Sequence, residues 1–486
     1  MPCGEVGFMT RSSFRVLEKD ETRRIHEAAL TILSDVGLKV NSERALSLLR
    51  EAGCSIEDRT RIAKIPEGLV NDALSNCPKE FVLASRDASR DIPIPVRERP
   101  AICTDGFAVE IMDDDTGERR KSVNDDLVRF ARLSDHLDDL DFFWPILTPQ
   151  DVPPNAQLFR GFVTSLENCA KHIQHEALGS RMAKLLISAA SEVVGGHKTL
   201  AKRPVFSAVQ CPVAPLQFET DSIEAAMEFA KAGVPVVYMS MPMAGGSAPI
   251  TLAGSIVQGH AEVLGGLTIS QLTKKGSPVF HCILTGPVDM QTGTWASGSP
   301  ENAIGNAASV EVAKSLGMPS MSGGFGTSAK THGLQAAYEK IATMVPSALS
   351  GTDIITGIGG LDDAKCMSMA EAIIDIEMWT FVMRMRRGID ASPGSLGVEA
   401  LRDVGPGGMF LSHRETLAKF RTELWPPTLG QRQGFAKWMS DGPTGIVRRA
   451  QVRAVELSSK PPRVPLSSDV EQRLEKMVQE EICSAR

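Results

Sequence analysis

Aromatic residues make up only 5 % of this 486-residue sequence, with 2 tyrosines and 5 tryptophans. No two of the nine cysteines form a CxxC pair: Cys3, Cys54, Cys77, Cys103, Cys169, Cys211, Cys282, Cys366 and Cys483 are odd in number and scattered. Neither a disulfide framework nor a structural zinc site is expected from that spacing. Long basic runs are missing too, and 52 Lys+Arg against 59 Asp+Glu leave a net charge of −7. That balance argues against a nucleic-acid binder and against a polybasic membrane anchor. The opening Met1–Gly7 has no charged stretch followed by an apolar one, so no signal peptide is expected. The most apolar long stretch, 250–272, contains Gln258, His260 and Glu262 and reads as a buried helix instead of a membrane span. These absences predict a reduced, cytoplasmic protein engaging neither nucleic acid nor membrane. What is present, 42 % apolar and 23 % charged residues, suffices for a large core and excludes disorder.

Residues 1–100 read as an N-terminal helical and β extension packed against the rest of the chain. Ile25, Ala28, Ala29, Ile32 and Leu33 recur at helical spacing, and Ser42 stands as an N-cap before Ala45, Leu46, Leu48 and Leu49. Residues 107–112 are strand-like, and Asp113-Asp114-Asp115 makes a solvated turn lacking the ligand spacing of a calcium loop. From about residue 141 short apolar runs alternate with helical stretches. The runs are 142–146, 172–177, 205–209, 236–239, 279–284, 320–322 and 354–358. Such alternation implies parallel strands with helical crossovers. No GxGxxG follows a strand, so a (β/α)8 TIM barrel is expected over 101–440, with one strand unplaced and a C-terminal helical tail over 441–486.

In such a barrel function sits on loops at the carboxyl ends of the strands. Here those loops hold Trp144-Pro145, Gln210-Cys211-Pro212, Met239 to Gly246, Thr285 to Met290, Gly323 to Thr327 and Gly357 to Gly360. Glycine lets backbone N–H groups approach a ligand closely, so together they suggest a ligand-binding mouth. GxSxG, GxxxxGK[ST] and HExxH are all missing. His172 and His175 would face opposite sides of a strand, and no metal site is expected. Glu176 and Asp289 stand where a catalytic carboxylate would, with helix capping the equal alternative. His281, beside Cys282, reads as a core or pocket group.

Several longer runs carry a resemblance. Ala248 to Ser255 followed by His260 to Gly266, Pro287 to Gly293 with Gly298 to Glu301, and Gln335 to Lys340 are similar to the trimethylamine methyltransferase superfamily. So are Gly408 to Thr416 and Glu423 to Pro427, and the likeness runs from about residue 15 to 480. The resemblance implies a (β/α)8 barrel that moves a methyl group from a methylated amine to the cobalt of a separate corrinoid protein. The cobalamin is then carried by that partner, with no cofactor tightly bound to this chain. Trimethylamine-specific members carry pyrrolysine in the mouth, whereas residues 320–335 here are all standard. That difference points to a quaternary amine, glycine betaine first. Other betaines, carnitine-like compounds, a sulfonium, trimethylamine itself or a non-catalytic binding role are the alternatives. A quaternary nitrogen leaves as a neutral amine, so no general acid is required and His281, Asp289 and Glu176 remain only candidates for acid–base work. Trp144, Tyr238, Trp295 and Phe325 are candidate cage rings, with Met239 and Met241 as soft wall. Core packing is an even alternative for each. His281, Lys330, His332 and His413 are candidates for the substrate carboxylate, and Gln174 and Gln210 for hydrogen bonds to its polar end. A homo-oligomer is expected.

Overall fold

The computed structural model describes residues 13–114 and 116–484; Cys3, the opening Met1–Gly7 and Asp115 lie outside the described residues. Eight parallel strands close a ring. In chain order they are β1 (Ala101–Thr104), β2 (the bridge residues Phe142 and Phe143), β3 (Ile173–His175), β4 (Phe206–Gln210), β5 (Val236–Ser240), β6 (Val279–Ile283), β7 (Ser320–Gly323) and β8 (Ile354–Ile358). Seven share one continuous sheet from β3 round to β8 and β1. The parallel bridges Cys103↔Phe142 and Phe143↔Ile173 complete the circle through β2. The strand that the sequence pattern left unplaced is β1, a four-residue segment between Pro100 and Asp105.

A helix follows every strand: Asn124–His136, Gln157–Asn168, Gly179–Val194, Thr220–Ala232, Leu252–Thr273, Pro300–Ser315, Leu334–Ser350 and Met369–Arg387. Strands buried on both faces carry apolar residues without clean alternation. Inward-facing Cys103, Trp144, Val209, Met239, Phe280, Cys282 and Met321 form the lumen cluster. Outward-facing Phe143, Ile173, Phe206, Tyr238 and Ile355 join the larger cluster beneath the helices.

Leu252–Thr273 is buried around most of its circumference, Gln258, His260 and Glu262 included, because helices Lys19–Thr31, Glu43–Glu51 and Glu67–Asn76 pack over its outer side. A hairpin of Phe81–Leu83 and Ile92–Ile94 stops the amino end of the barrel, where the Phe81 ring meets Phe280 edge-on at 5.1 Å. Helix Ile446–Ser458 returns onto Met369–Arg387 and Asn124–His136, and Ser468–Cys483 lies across Gln157–Asn168 and Gly179–Val194. At the carboxyl ends of the strands, Gly360–Leu361, Cys366–Met367, Glu110–Met112 and Arg119–Lys121 form a small rim sheet. No helix among the described residues is long and apolar enough to cross a membrane.

Candidate functional site

A cavity of about 480 Å3 lies at the carboxyl ends of β1 and of β5 to β8. Met241, Met243, Leu284 and Trp295 supply its apolar wall, and the glycines of 323–326 and 357–360 supply backbone wall. Two of these glycines are dictated by space. At Gly357, φ is +123° and a Cβ would lie 2.2 Å from the Gly324 carbonyl oxygen; a Cβ at Gly326 would lie 2.4 Å from the Ser297 oxygen. The β7 and β8 loops therefore touch backbone to backbone, a spacing no other residue permits.

The charged side chains lining the cavity are Asp105, Asp363 and Lys365, set among amides and hydroxyls. Asp105, just past β1, accepts the Gly106 N–H at 3.0 Å through Oδ1, and burial pushes its carboxyl above the ordinary value. Asn302 donates to the Thr285 carbonyl, and Asn306 donates to Asn302 at 3.1 Å, leaving the buried Asn306 Oδ1 without a hydrogen-bond partner among the described residues. Asp363 accepts from Ser297 and Ser328, and Lys365 is the lining cation. An apolar wall with a buried carboxylate and an unsatisfied amide oxygen attracts a small cation and repels a free anion.

A charged network behind the lining holds it in place. Lys340, fully buried, donates to Asp375 at 2.7 and 2.9 Å and lies 3.0 Å from Glu371. Asp375 in turn accepts the Gly359 N–H at 2.7 Å, and Glu371 pairs with His332 Nδ1 at 2.7 Å. Complete burial pushes Asp375 up to about 7, whereas Lys340 and His332 hold Glu371 well below its usual range. Glu339 accepts from Thr327 Oγ1 at 2.6 Å and from the Ser328 N–H at 2.9 Å, fixing the β7 loop. The run Gln335 to Lys340 is thus scaffold beneath the cavity.

The sequence candidates separate into three groups. Trp295 lines the cavity with its indole. Trp144, Gln174 and Met239 lie deeper in the lumen; the Trp144 Nε1 and Gln174 Oε1 atoms have no hydrogen-bond partner among the described residues. Two residues beyond Gln174, Glu176 stands half-buried near Cys211, and desolvation pushes its carboxyl up to about 7.

The remaining candidates are turned elsewhere. Tyr238 points outward, donating to or accepting from Ser270 Oγ at 2.8 Å across Gly266 of the covering helix. His281 also points outward: its Nε2 lies 2.9 Å from His260 Nδ1, and His260 Nε2 lies 3.0 Å from His26 Nδ1. Both belong to the face of the strand opposite the lumen, where period-two alternation places residues 238 and 281. Gln210 likewise bonds Ser222 on the next helix. Phe325 contributes backbone to the cavity, but its φ of +57° turns the ring onto Trp379, 6.3 Å away. Lys330 is 61 % exposed and paired with Asp362, and His332 is consumed by Glu371. Asp289 is an exposed turn cap, accepting the Gln291 and Thr292 N–H groups. His413 caps helix Arg414–Glu423, in a separate helical segment. Asp105, Asn306, Asp363 and Lys365 were not anticipated; among them only Asp105 carried a signal, a carboxylate ending a short apolar strand before glycine. Among the described residues no cluster of His, Cys, Asp or Glu is placed to hold a metal.

A closed eight-stranded barrel with its cavity at the carboxyl ends of the strands has the anatomy of a barrel enzyme. Within that class the chain belongs to the trimethylamine methyltransferase family, whose match spans residues 6–482, and it is a methyltransferase of that family. It is 32 % identical to a trimethylamine methyltransferase of Desulfitobacterium hafniense over 95 % of this chain and 92 % of that one. A glycine betaine methyltransferase from another strain of that species is 28 % identical, covering 88 % and 89 % of the two chains. In fold the chain is similar to the crystal structure of the monomethylamine methyltransferase of Methanosarcina barkeri, with a TM-score of 0.53 and 14 % identity over 96 % and 90 % of the chains.

Proposed function

We propose that this chain takes a methyl group from a quaternary amine, glycine betaine first, and delivers it to the reduced cobalt of a corrinoid held by a partner protein. The observation that carries the reading is the lining itself, in which Asp105 and the unpartnered Asn306 Oδ1 face an apolar pocket of methionine, leucine and indole. A tetraalkylammonium spreads its positive charge over apolar methyl groups, so carboxylate, amide oxygen, indole and thioether can all meet it electrostatically without an N–H donor. Lys365 supplies the complementary charge for a betaine carboxylate. The residues also fit an approaching corrinoid: the apolar rim residues Met241, Met290 and Leu334 are exposed.

The corrinoid, when docked, supplies the nucleophile; everything else falls to this chain. Nucleophile and ammonium bear opposite charges that cancel as the methyl moves. A low-polarity cavity therefore stabilises the transition state relative to a solvated ground state. Met241, Met243, Leu284 and Trp295 exclude water, and the β7 and β8 backbone fixes the donor in line. No side chain need protonate the departing tertiary amine, which agrees with a lining whose described residues include no histidine. Trimethylamine, by contrast, would need activation of its nitrogen before methyl loss.

The test is a panel of methyl donors incubated with the purified chain and cob(I)alamin, followed by the absorbance of the methylated product. Glycine betaine is expected to methylate cobalt with dimethylglycine released. Turnover of trimethylamine with none on any quaternary amine reverses the substrate assignment, turnover of a sulfonium alone redirects it, and betaine binding without transfer identifies a binding protein.

A further inference from the structure

Between helices Met369–Arg387 and Ile446–Ser458 the chain leaves the body as an arm, residues 388–445, holding helices Val398–Val404, Arg414–Glu423 and Phe435–Ser440. The first buries only Ala400, and the other two bury no residue at all. Amphipathic helices that bury nothing do not persist by themselves, because short helices owe their stability to packing. The arm is tied to the body along one line. Glu377 accepts the N–H groups of Thr428, Leu429 and Gly430, and Trp425 lies edge-on to Phe381 at 5.2 Å and donates to Thr380. Beyond that seam the large apolar side chains face outward, with Met409, Leu411 and Phe435 each at least 72 % exposed. Beside them a groove of about 360 Å3 is walled by Leu396, Leu401, Phe420 and Leu424. The arm thus carries both apolar knobs and an apolar groove.

We propose that this arm is the self-association surface of the protein, pairing with the arm of a second copy about a two-fold axis. Four observations favour a second copy as the occupant. Residues 388–445 contain six acidic and six basic residues, so the arm is neutral in a chain of net charge −7. Arm against arm is consequently the contact that avoids repulsion between like bodies. Several of these charges are already paired within the arm, as in Arg402–Glu399, Lys419–Glu415 and Lys437–Asp441, which leaves the apolar surface to be matched. Its exposed large apolar side chains amount to on the order of 1,000 Å2, against the roughly 800 Å2 per partner of a stable interface. Finally, the arm leaves from the amino end of the barrel. The carboxyl end of Met369–Arg387 lies beside the segment entering β1, where Arg386 reaches the Glu98 carbonyl. A methyl acceptor must approach the opposite end, where the cavity opens.

The test is sedimentation equilibrium of the full chain at micromolar concentration. The unmodified protein is expected to be a dimer or a multiple of dimers. The triple variant Leu411→Glu, Leu417→Glu and Phe435→Glu, all at exposed positions, is expected to halve the mass. It should keep the far-ultraviolet circular dichroism of the parent and its rate of methyl transfer per chain. The control Leu334→Glu, an exposed residue at the mouth, should leave the mass unchanged. A monomeric parent overturns the proposal, as does a mass unmoved by the triple variant. So does an arm protected from hydrogen exchange by a corrinoid protein but not by a second copy.

Discussion

Replacing Lys340 by methionine isolates the network that holds the mouth. The variant keeps the volume of the stem but leaves Asp375 and Glu371 as buried carboxylates without their cation, at 2.7 and 3.0 Å from an ammonium that is gone. Removing one partner of a buried pair costs about 3–5 kcal/mol, since the desolvation already incurred is no longer offset. With an unfolding entropy near 2.1 cal/mol/K per residue, a chain of this length loses roughly 3–5 °C in Tm. The pH dependence separates this mechanism from lost packing. Without Lys340 both carboxyls have folded-state values raised above their unfolded ones, so the penalty is complete at high pH and fades as pH falls and they take up protons. The deficit in Tm by differential scanning calorimetry should therefore be larger at pH 8 than at pH 5.5. The double variant Lys340→Met/Asp375→Asn should recover at least half of it, because the amide oxygen still accepts the Gly359 N–H. A deficit independent of pH, or a double variant as unstable as the sum of its parts, would refute the reasoning.

Other expectations rest on the lining and on the buried histidines. Trp295→Ala should raise KM for the amine about 5- to 30-fold, the ~1–2 kcal/mol of one cation–π contact, while kcat holds or rises, because the charge being bound fades in the transition state and the lost contact costs the bound ground state more; a large fall in kcat instead would make the indole part of the chemistry. Asp105→Asn should weaken binding of a quaternary cation. In the parent, KM should fall as pH rises and the carboxyl, displaced upward by burial, ionises; a variant that retains this pH profile removes Asp105 from the explanation. His281 is held neutral by burial, with a folded value of about 3 against 6.5. Its contribution is retained above pH 6.5 and lost as pH falls toward 3. The stability of His281→Gln, measured by urea unfolding, should thus be flatter with pH by about 1.4 kcal/mol per unit between pH 6 and 4. Parallel curves for parent and variant would show that the imidazole is not buried neutral.

What the amino-acid order made legible, and what it hid, comes from the geometry of a closed parallel ring. The helices expected over residues 155–169, 181–194, 219–232, 251–272, 301–316, 335–349 and 367–386 lie within about two residues of those that succeed β2 to β8, because caps or glycines punctuate several of them, such as Ser299 before Pro300–Ser315 and Gly351 after Leu334–Ser350. β1 escaped notice because Ala101–Thr104 stands ahead of residue 141, where the regular alternation begins, and the antiparallel pair Glu110–Met112 and Arg119–Lys121 separates it from its helix. Site residues were harder for a reason internal to the fold. A barrel strand is buried on both faces, so hydrophobicity does not distinguish lumen from helix layer, and parity must be anchored by something else. Tyr238 and Met239 are adjacent and equally buried, yet one bonds Ser270 while the other fills the lumen. Glycine is such an anchor. Gly266 admits the Tyr238 ring from outside and Gly106 admits the Trp144 indole from within; a Cβ at either would lie 2.5 Å from that ring. Close-approach glycines thus mark which aromatic belongs to which side, but only once two segments distant in sequence are known to meet. The same dependence explains Asp105, whose importance comes from Gly360 and Lys340, more than two hundred residues away.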